Sequence, residues 1–108
     1  MDEIIHVNEA DFQNEVLESE LPVLVDFTAI WCGPCKTLDH VVAKLEKDWE
    51  GQVKIVKLDI DNNPNIAVQY SVMGVPTLML FINGKEVHRL VGYQSKKRII
   101  KILTPYFS

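Results

Sequence analysis

The sequence is poor in cysteine, and it contains no long run of apolar residues. Its 108 residues include only two cysteines, five glycines and five prolines. Two cysteines are too few for the several disulfides that hold small secreted domains together, so a disulfide scaffold is excluded. The longest apolar stretches, such as residues 78–82, are far shorter than the roughly 20 residues that a membrane-spanning helix needs. We therefore expect no membrane partner.

Positive charge is also scarce, which argues against a nucleic-acid partner. The chain carries 11 basic and 15 acidic side chains, a formal net charge of −4, whereas nucleic-acid binding needs a basic surface. The first seven residues have no basic region followed by a long apolar stretch, so they lack the pattern of a secretory signal. The cytoplasm is the expected compartment, unless the chain is a mature form whose signal has been removed.

The size and apolar content are those of one globular domain. A hydrophobic fraction of 47% with 24% charged residues is ordinary for such a protein. A length of 108 residues lies within the common range for single domains. We expect residues 1–108 to form a single domain.

Apolar patterns along the chain predict five strands and four helices. Short apolar or alternating runs predict strands at residues 3–7, 23–27, 53–60, 77–82 and 86–91, the last two joined by an Asn83-Gly84 turn. Helices are predicted after Asn8, from Cys35, at Asn63-Pro64, where the Asn63 amide is expected to cap the helix, and after Ser95. The order β-α-β-α-β-α-β-β-α predicts an α/β fold with a central mixed five-stranded sheet, parallel in its first part and closed by an antiparallel hairpin.

Two of the predicted helices have a clear apolar face. The residues on that face of the second helix are Leu38, Val41, Val42, Leu45 and Trp49, and Gly51 is predicted to end the helix. The corresponding residues of the last helix are Ile99, Ile102, Leu103 and Tyr106. These faces are expected to pack against the sheet.

The two cysteines lie close together, between a buried strand and the long helix, in the segment Cys32-Gly33-Pro34-Cys35. The first turn of a helix offers unpaired N–H groups and a partial positive charge, both of which favour a thiolate, and Cys32 is outermost. Cys32 can therefore attack a substrate disulfide, and Cys35 can attack the resulting mixed disulfide from within the same chain. This chemistry needs no metal and no organic cofactor, only a reversible Cys32–Cys35 disulfide.

Two other interpretations of the cysteine pair are open. The pair could be half of a zinc site, but structural zinc usually takes four ligands and the chain has no second such pair. His40 follows Cys35 by five residues, while His6 and His88 lie in predicted strands. The two cysteines could also be inert, although their position at a strand-to-helix junction disfavours this.

The segment around the cysteines resembles the active-site segment of the thioredoxin family. Residues 25–36, which include the sequence WCGPCK, carry the resemblance, and it continues through residues 57–61, 74–77, 81–84 and 91–92. A Cys-x-x-Cys pair alone is a weak signal, whereas WCGPCK followed about forty residues later by Val-Pro-Thr is highly specific. The resemblance implies the thioredoxin fold, a monomer that reduces disulfides of client proteins, and recycling by a thioredoxin reductase that uses NADPH or ferredoxin.

Asp26 places a carboxylate inside an apolar strand. Burial disfavours the charged form of a carboxyl group and therefore raises its pKa. The simpler interpretation is a polar residue near a strand end. The resemblance implies instead that Asp26 accepts and donates a proton for Cys35, and that it pairs with Lys57 on the neighbouring strand.

The resemblance also implies a substrate groove beside the cysteines. A cis bond between Val75 and Pro76 would exclude a metal from the thiols and expose the Val75 backbone, with which a substrate segment could pair as an added strand. Small residues would let that foreign backbone approach closely. The implied groove residues are Trp31, Gly33, Pro34, Gly74, Val75, Pro76, Gly92 and Tyr93. For Gly92, a plain strand terminator is the alternative.

The chain departs from the family pattern at several positions near the cysteines. Thr28 stands where Trp is frequent, and His40 stands where a helix-kinking proline is common, which predicts a straighter second helix. Asp39 lies one helical turn beyond the second cysteine, where its carboxylate would oppose thiolate formation if it is near enough. Ile30 and Met73 make the rim of the groove apolar, which predicts clients that are selected by apolar contact.

Two other functions fit the same fold. Oxidases and isomerases of this fold typically carry His in place of Pro34 and enter an oxidising compartment, so Pro34 and the lack of a signal favour a reductase. The domain could also be a binding module, a subunit of a larger complex whose thiols are incidental.

Overall fold

The computed structural model describes residues 4–108, and its framework is a five-stranded sheet. The strands are β1 (Ile5–His6), β2 (Val23–Thr28), β3 (Lys54–Asp59), β4 (Thr77–Ile82) and β5 (Lys85–Val91). They lie in the order β1-β3-β2-β4-β5. β3 is parallel to both β1 and β2, whereas β4 is antiparallel to both β2 and β5. The mixed sheet expected from the sequence is confirmed. Of the first predicted strand, residue 3 lies outside the described residues.

The β4–β5 hairpin has the predicted turn. Asn83 and Gly84 adopt positive φ angles of 54° and 79°, as a two-residue turn between twisted antiparallel strands requires. A side chain at Gly84 would also place its Cβ 2.9 Å from the carbonyl oxygen of Leu17. Glycine is therefore needed here for both backbone angle and packing.

Four α-helices lie within residues 4–108: α1 (Glu9–Phe12), α2 (Gly33–Asp48), α3 (Pro64–Gln69) and α4 (Lys96–Leu103). α1 continues as a π-helical turn at Gln13–Leu17. In this turn the N–H of Glu18 donates to the carbonyl of Gln13, five residues earlier, at 2.9 Å. The sequence pattern did not predict this turn. α2 is uninterrupted through His40, which is exposed. No helix within residues 4–108 is both long and apolar enough to cross a membrane.

The hydrophobic core forms two layers, one on each face of the sheet. Side chains alternate between the faces along each strand, so that Leu24 and Val25 of β2 enter different layers. The layer against α2 and α4 includes Leu24, Leu38, Val42, Leu45, Ile55, Leu78, Leu80, Ile99 and Leu103. The layer against α1 and α3 includes Phe12, Val16, Val25, Phe27, Val56, Leu58, Ile66, Met79 and Phe81. Helices therefore cover both faces, as expected.

Two predicted details at helix ends are wrong. Tyr106 is exposed rather than on the apolar face of α4, because the helix ends at Leu103 and a 3₁₀ turn at Thr104–Tyr106 redirects the chain. Asn63 precedes α3 but its side chain does not cap the helix. It accepts the N–H of Glu9 at 2.9 Å instead.

The carboxylate of Glu9 takes over the capping of α3. Its Oε2 atom accepts the N–H groups of Asn65, at 2.7 Å, and Ile66, at 3.2 Å. A negative charge is favourable at a helix N-terminus, where it meets unpaired donors. The hydrogen bonds that Glu9 makes with Asn63, Asn65 and Ile66 therefore hold α1 against the start of α3.

Candidate active site

The two cysteines lie at the N-terminus of α2, next to the end of β2. Cys32 is the N-cap residue, with an extended backbone, and Pro34 occupies the first helical turn. The Sγ atom of Cys32 accepts the backbone N–H of Cys35 at 3.1 Å. The two sulfur atoms form a disulfide, with the Cα atoms 5.3 Å apart. The Cys32 sulfur is thus placed at the unpaired donors and partial positive charge of the helix end.

The cysteines share a small apolar cluster. Cys32 is 3% and Cys35 is 2% exposed, so exposure does not distinguish the attacking thiol from the resolving one. Their positions in the helix do, because Cys32 caps the helix whereas Cys35 lies within its first turn. Both pack with Ala29, and partly buried Ile60 and Val75 contact this cluster.

Asp26 is almost completely buried, with 1% of its surface exposed. It is in register with Lys57 across the parallel β2–β3 pair. Asp26 lies two residues after Leu24, so its side chain projects from the same face of the sheet, the face that packs against α2. The expected burial of Asp26 and its position beside Lys57 are confirmed, while its part in proton transfer stays a prediction.

Lys57 forms an ion pair with a carboxylate of α2. Its Nζ atom lies 3.1 Å from Oδ1 of Asp39, and the Lys57 side chain is 7% exposed whereas that of Asp39 is 40% exposed. The expectation that Asp39 simply opposes a thiolate was therefore incomplete, since the neighbouring ammonium group offsets its charge. No pattern in the sequence indicated this pair, because its members belong to different elements.

A pocket of about 200 Å³ opens beside this ion pair. It lies where the N-terminal part of α2 meets the ends of β1, β2 and β3. Its lining residues are His6, Thr28, Ala29, Ile30, Cys35, Lys36, Asp39, Lys57 and Asp59. Within residues 4–108, no group of three or more His, Cys, Asp or Glu side chains is arranged to hold a metal ion. The pocket was not predicted from the sequence.

The loop before β4 lies against the cysteines. The Val75–Pro76 peptide bond is cis, as the resemblance implied, and Val75 contacts the cysteine cluster. The carbonyl of Pro76 accepts the N–H of Gly92 at 2.8 Å, and the Thr77 hydroxyl donates to the carbonyl of Gly74 at 2.8 Å. These bonds bring four of the expected groove residues together at one end of the sheet.

The rim around the cysteines is apolar and exposed. Ile30 and Met73 are 78% and 94% exposed, and the side chains of Trp31 and Tyr93 are exposed as well. The Trp31 ring is fixed by its Nε1–H, which donates to Oδ2 of Asp61 at 2.7 Å. Gly33 and Pro34 lie exposed in the first turn of α2.

Asp61 and Ile60 were missed as site residues in the sequence. Both follow the end of β3, and Asp61 is the residue that orients the Trp31 ring. The usable signal was their position. Ligand-binding residues of α/β proteins collect beyond the carboxyl ends of parallel strands, and β2 and β3 both end here.

Comparison with known proteins gives matches over nearly the whole chain. The family model described as Thioredoxin matches residues 3–105. A protein of Synechocystis sp. named Thioredoxin is 48% identical over 100 residues, which cover 93% of this chain and 94% of that protein. A Thioredoxin of Rickettsia felis is 46% identical over 95 residues, covering 88% and 90%, respectively. A Thioredoxin of Porphyra purpurea is 40% identical over 105 residues, covering 97% and 98%.

Proposed function

The chain belongs to the thioredoxin family, and we propose that Cys32 is the nucleophile and Cys35 the resolving thiol of its reaction. The protein is a protein-disulfide reductase that acts by dithiol–disulfide exchange. The observation that carries the assignment of roles is the position of Cys32. It caps α2 and its sulfur accepts a helix N–H at 3.1 Å, so a thiolate at Cys32 is stabilised by the helix end.

The reaction proceeds in two exchanges. The Cys32 thiolate attacks one sulfur of the client disulfide, the client S–S bond breaks, and the other client sulfur leaves as a thiolate that takes up a proton. Cys35 then loses its proton and attacks Sγ of Cys32. The mixed disulfide breaks, the second client thiol is released, and the Cys32–Cys35 disulfide forms. Two electrons and two protons pass to the client, and no bound cofactor takes part.

Asp26 is the group that accepts the Cys35 proton in this proposal, with Lys57 as its partner. Three features support it: Asp26 is buried, it is in register with Lys57, and both lie on the sheet face that packs against the helix carrying Cys35. A carboxyl group kept from water is suited to hold a proton near neutral pH, because burial disfavours its charged form.

The client segment binds along the groove formed by Trp31, Gly33, Pro34, Gly74, Val75, Pro76, Gly92 and Tyr93. Its backbone pairs with that of Val75 as an added strand. A Cβ atom built on Gly33, Gly74 or Gly92 would meet nothing within 4 Å, which supports room for a client chain. Gly92 also has a φ angle of +86°, a conformation that L side chains rarely adopt.

The wider setting follows from the family. The partners are disulfide-bearing client proteins and a thioredoxin reductase, which draws on NADPH or on ferredoxin. We place the protein in the cytoplasm as a monomer, with residues 1–108 as one thioredoxin domain that binds neither nucleic acid nor membrane. The net charge of −4 supports the lack of a nucleic-acid partner.

Insulin reduction tests this assignment. The protein, with dithiothreitol as the electron source, should accelerate the reduction of insulin disulfides, and Cys32→Ser should abolish the acceleration. Cys35→Ser should retain the first exchange and accumulate a mixed disulfide with the client, visible on a non-reducing gel. Equal loss of the first exchange in both variants would contradict the assigned roles.

An equilibrium titration against glutathione separates a reductase from an oxidase. The direction of electron flow is set by the reduction potential and not by the fold. A reductase requires a potential well below that of the glutathione couple. A potential above it would overturn the reductase assignment while leaving the dithiol chemistry intact.

A further inference from the structure

We propose that Asp39 is a further positioning residue of the reductase site: it holds the Lys57 ammonium group at the pocket and so limits how strongly Lys57 acts on Asp26 and Cys35. This inference rests on the proposed proton transfer between Cys35 and Asp26. It assigns a role to a side chain that does not itself touch the reacting sulfur atoms.

The geometry places Lys57 between two carboxylates. Lys57 extends from β3 in register with Asp26, and its Nζ atom lies 3.1 Å from Oδ1 of Asp39, which reaches it from α2. A buried ammonium group needs compensating charge. Asp39 supplies part of this compensating charge, and it holds the Lys57 ammonium group on the α2 side of the sheet. The Asp39 side chain itself is 40% exposed.

The pocket joins this ion pair to the resolving cysteine. Asp39, Lys57 and Cys35 all line the same space of about 200 Å³. Thr28 also lines it, and its short side chain leaves the space open. A pocket of this size can hold water molecules where charged side chains such as Asp39 and Lys57 line it. The electric field of the Asp39–Lys57 pair therefore acts across the pocket on the thiol of Cys35.

The charge around Asp39 and Lys57 comes from every element that borders the pocket. The charged and titratable groups are His6 on β1, Asp26 on β2, Lys57 and Asp59 on β3, and Lys36, Cys35 and Asp39 on α2. Without the Asp39 charge, the Lys57 ammonium group loses its ion pair with α2, and it can move toward Asp26, its neighbour in the sheet. A nearby positive charge favours the ionised forms of a carboxyl group and of a thiol. Both Asp26 and Cys35 should then lose their protons at lower pH.

The test compares Asp39→Asn with a matched control. The rate of release of a preformed mixed disulfide at Cys32, which depends on Cys35, is measured from pH 5 to pH 9, and the thiolate absorbance of the reduced protein is titrated in parallel. The control is Asp48→Asn, because Asp48 lies on the same helix and pairs with Lys96 at 2.8 Å, with a similar exposure of 48%. It removes the same charge far from the pocket.

We expect Asp39→Asn to shift the midpoint of the rate profile to lower pH by about half a unit or more, as the loss of one neighbouring negative charge in a partly solvated site should do. Asp39→Glu, which retains the charge, should restore most of the original midpoint. In a Lys57→Met background the effect of Asp39→Asn should shrink to less than half, because only the direct action of the Asp39 carboxylate then remains, and solvent screens a side chain that is 40% exposed.

Three results would overturn the inference: an unchanged or alkaline-shifted midpoint in Asp39→Asn, an equal shift in Asp48→Asn, or an undiminished shift in the Lys57→Met background. Circular dichroism of each variant confirms that it is folded. If the unmodified protein itself fails to reduce insulin, the proposed function has failed. If it is active and the midpoint is unmoved, only the role of Asp39 has failed.

Discussion

Replacing Asp26 with alanine should make the protein more stable at neutral pH and slower in reduction. Asp26 is 1% exposed, so its ionised form has lost nearly all of its hydration in the folded state. Its pKa is therefore expected to be higher in the folded than in the unfolded protein. Below the unfolded value of about 3.9 both states are protonated and folding is not penalised. The cost grows as the pH climbs from there to the folded pKa.

The expected gain follows from two opposing contributions. Each unit by which folding raises the pKa costs about 1.4 kcal/mol at pH 7, whereas the loss of side-chain contacts at alanine costs about 1 kcal/mol. Asp26 lies in the middle of β2 and faces α2, where burial is deep and desolvation outweighs packing. Because full burial can raise the pKa of a carboxyl group by several units, the first contribution should exceed the second by at least about 1 kcal/mol at pH 7, or roughly 4 °C in Tm.

Urea unfolding of the oxidised protein at pH 7 and at pH 3.5 measures this gain. The variant should be more stable at pH 7 but slightly less stable at pH 3.5, where the ionisation cost is absent and only the lost side-chain contacts count. Insulin reduction at pH 7 should slow on the order of tenfold or more, as the loss of a general base requires. The control is Asp48→Ala, whose carboxylate is about half exposed. An Asp26→Ala protein that is less stable and equally fast would refute the reasoning.

Three further outcomes are expected. Leu45→Ala should lower the free energy of unfolding by about 2–5 kcal/mol in urea titrations, because Leu45 is fully buried between α2 and the sheet; a loss below 1 kcal/mol would contradict that packing. Ile30→Glu or Met73→Glu should slow the reduction of clients with apolar flanking residues but leave a small aromatic disulfide unaffected; equal rates for every client would dismiss the apolar rim. Burial raises the pKa of Tyr70 above its ordinary value of 10.0, with Glu86 adding to the rise. Stability should therefore fall as the pH climbs above 10, and Tyr70→Phe should lessen that fall in alkaline unfolding experiments; an unchanged alkaline profile would count against it.

The regular parts of the fold could be predicted because local patterns determine them. β4 was predicted with its observed bounds, since a continuous apolar run between turn residues has few alternatives. The apolar face of α2 was also correct, because burial against one side of a sheet imposes helical spacing. The predictions were wrong where a side chain hydrogen-bonds to a partner that is distant in the sequence. Asn63 had a local role available as a cap, but in the folded chain its amide is used to bind α1.

The active site also contains residues that local patterns reveal and residues that only the folded chain brings together. Cys32 and Cys35 could be found because their chemistry depends on four adjacent positions at a helix start. Asp26 could be found because a carboxylate stands out within an apolar strand. The Lys57–Asp39 pair could not, because it forms only when β3 and α2 pack against each other. The sequence shows that Asp39 is negatively charged and lies one helical turn from Cys35. Its effect on the Cys35 thiol, however, depends on the Lys57 ammonium group with which it pairs. The influence of a charge on a buried site is thus a property of the pair, and predicting it requires the sheet register as well as the helix periodicity.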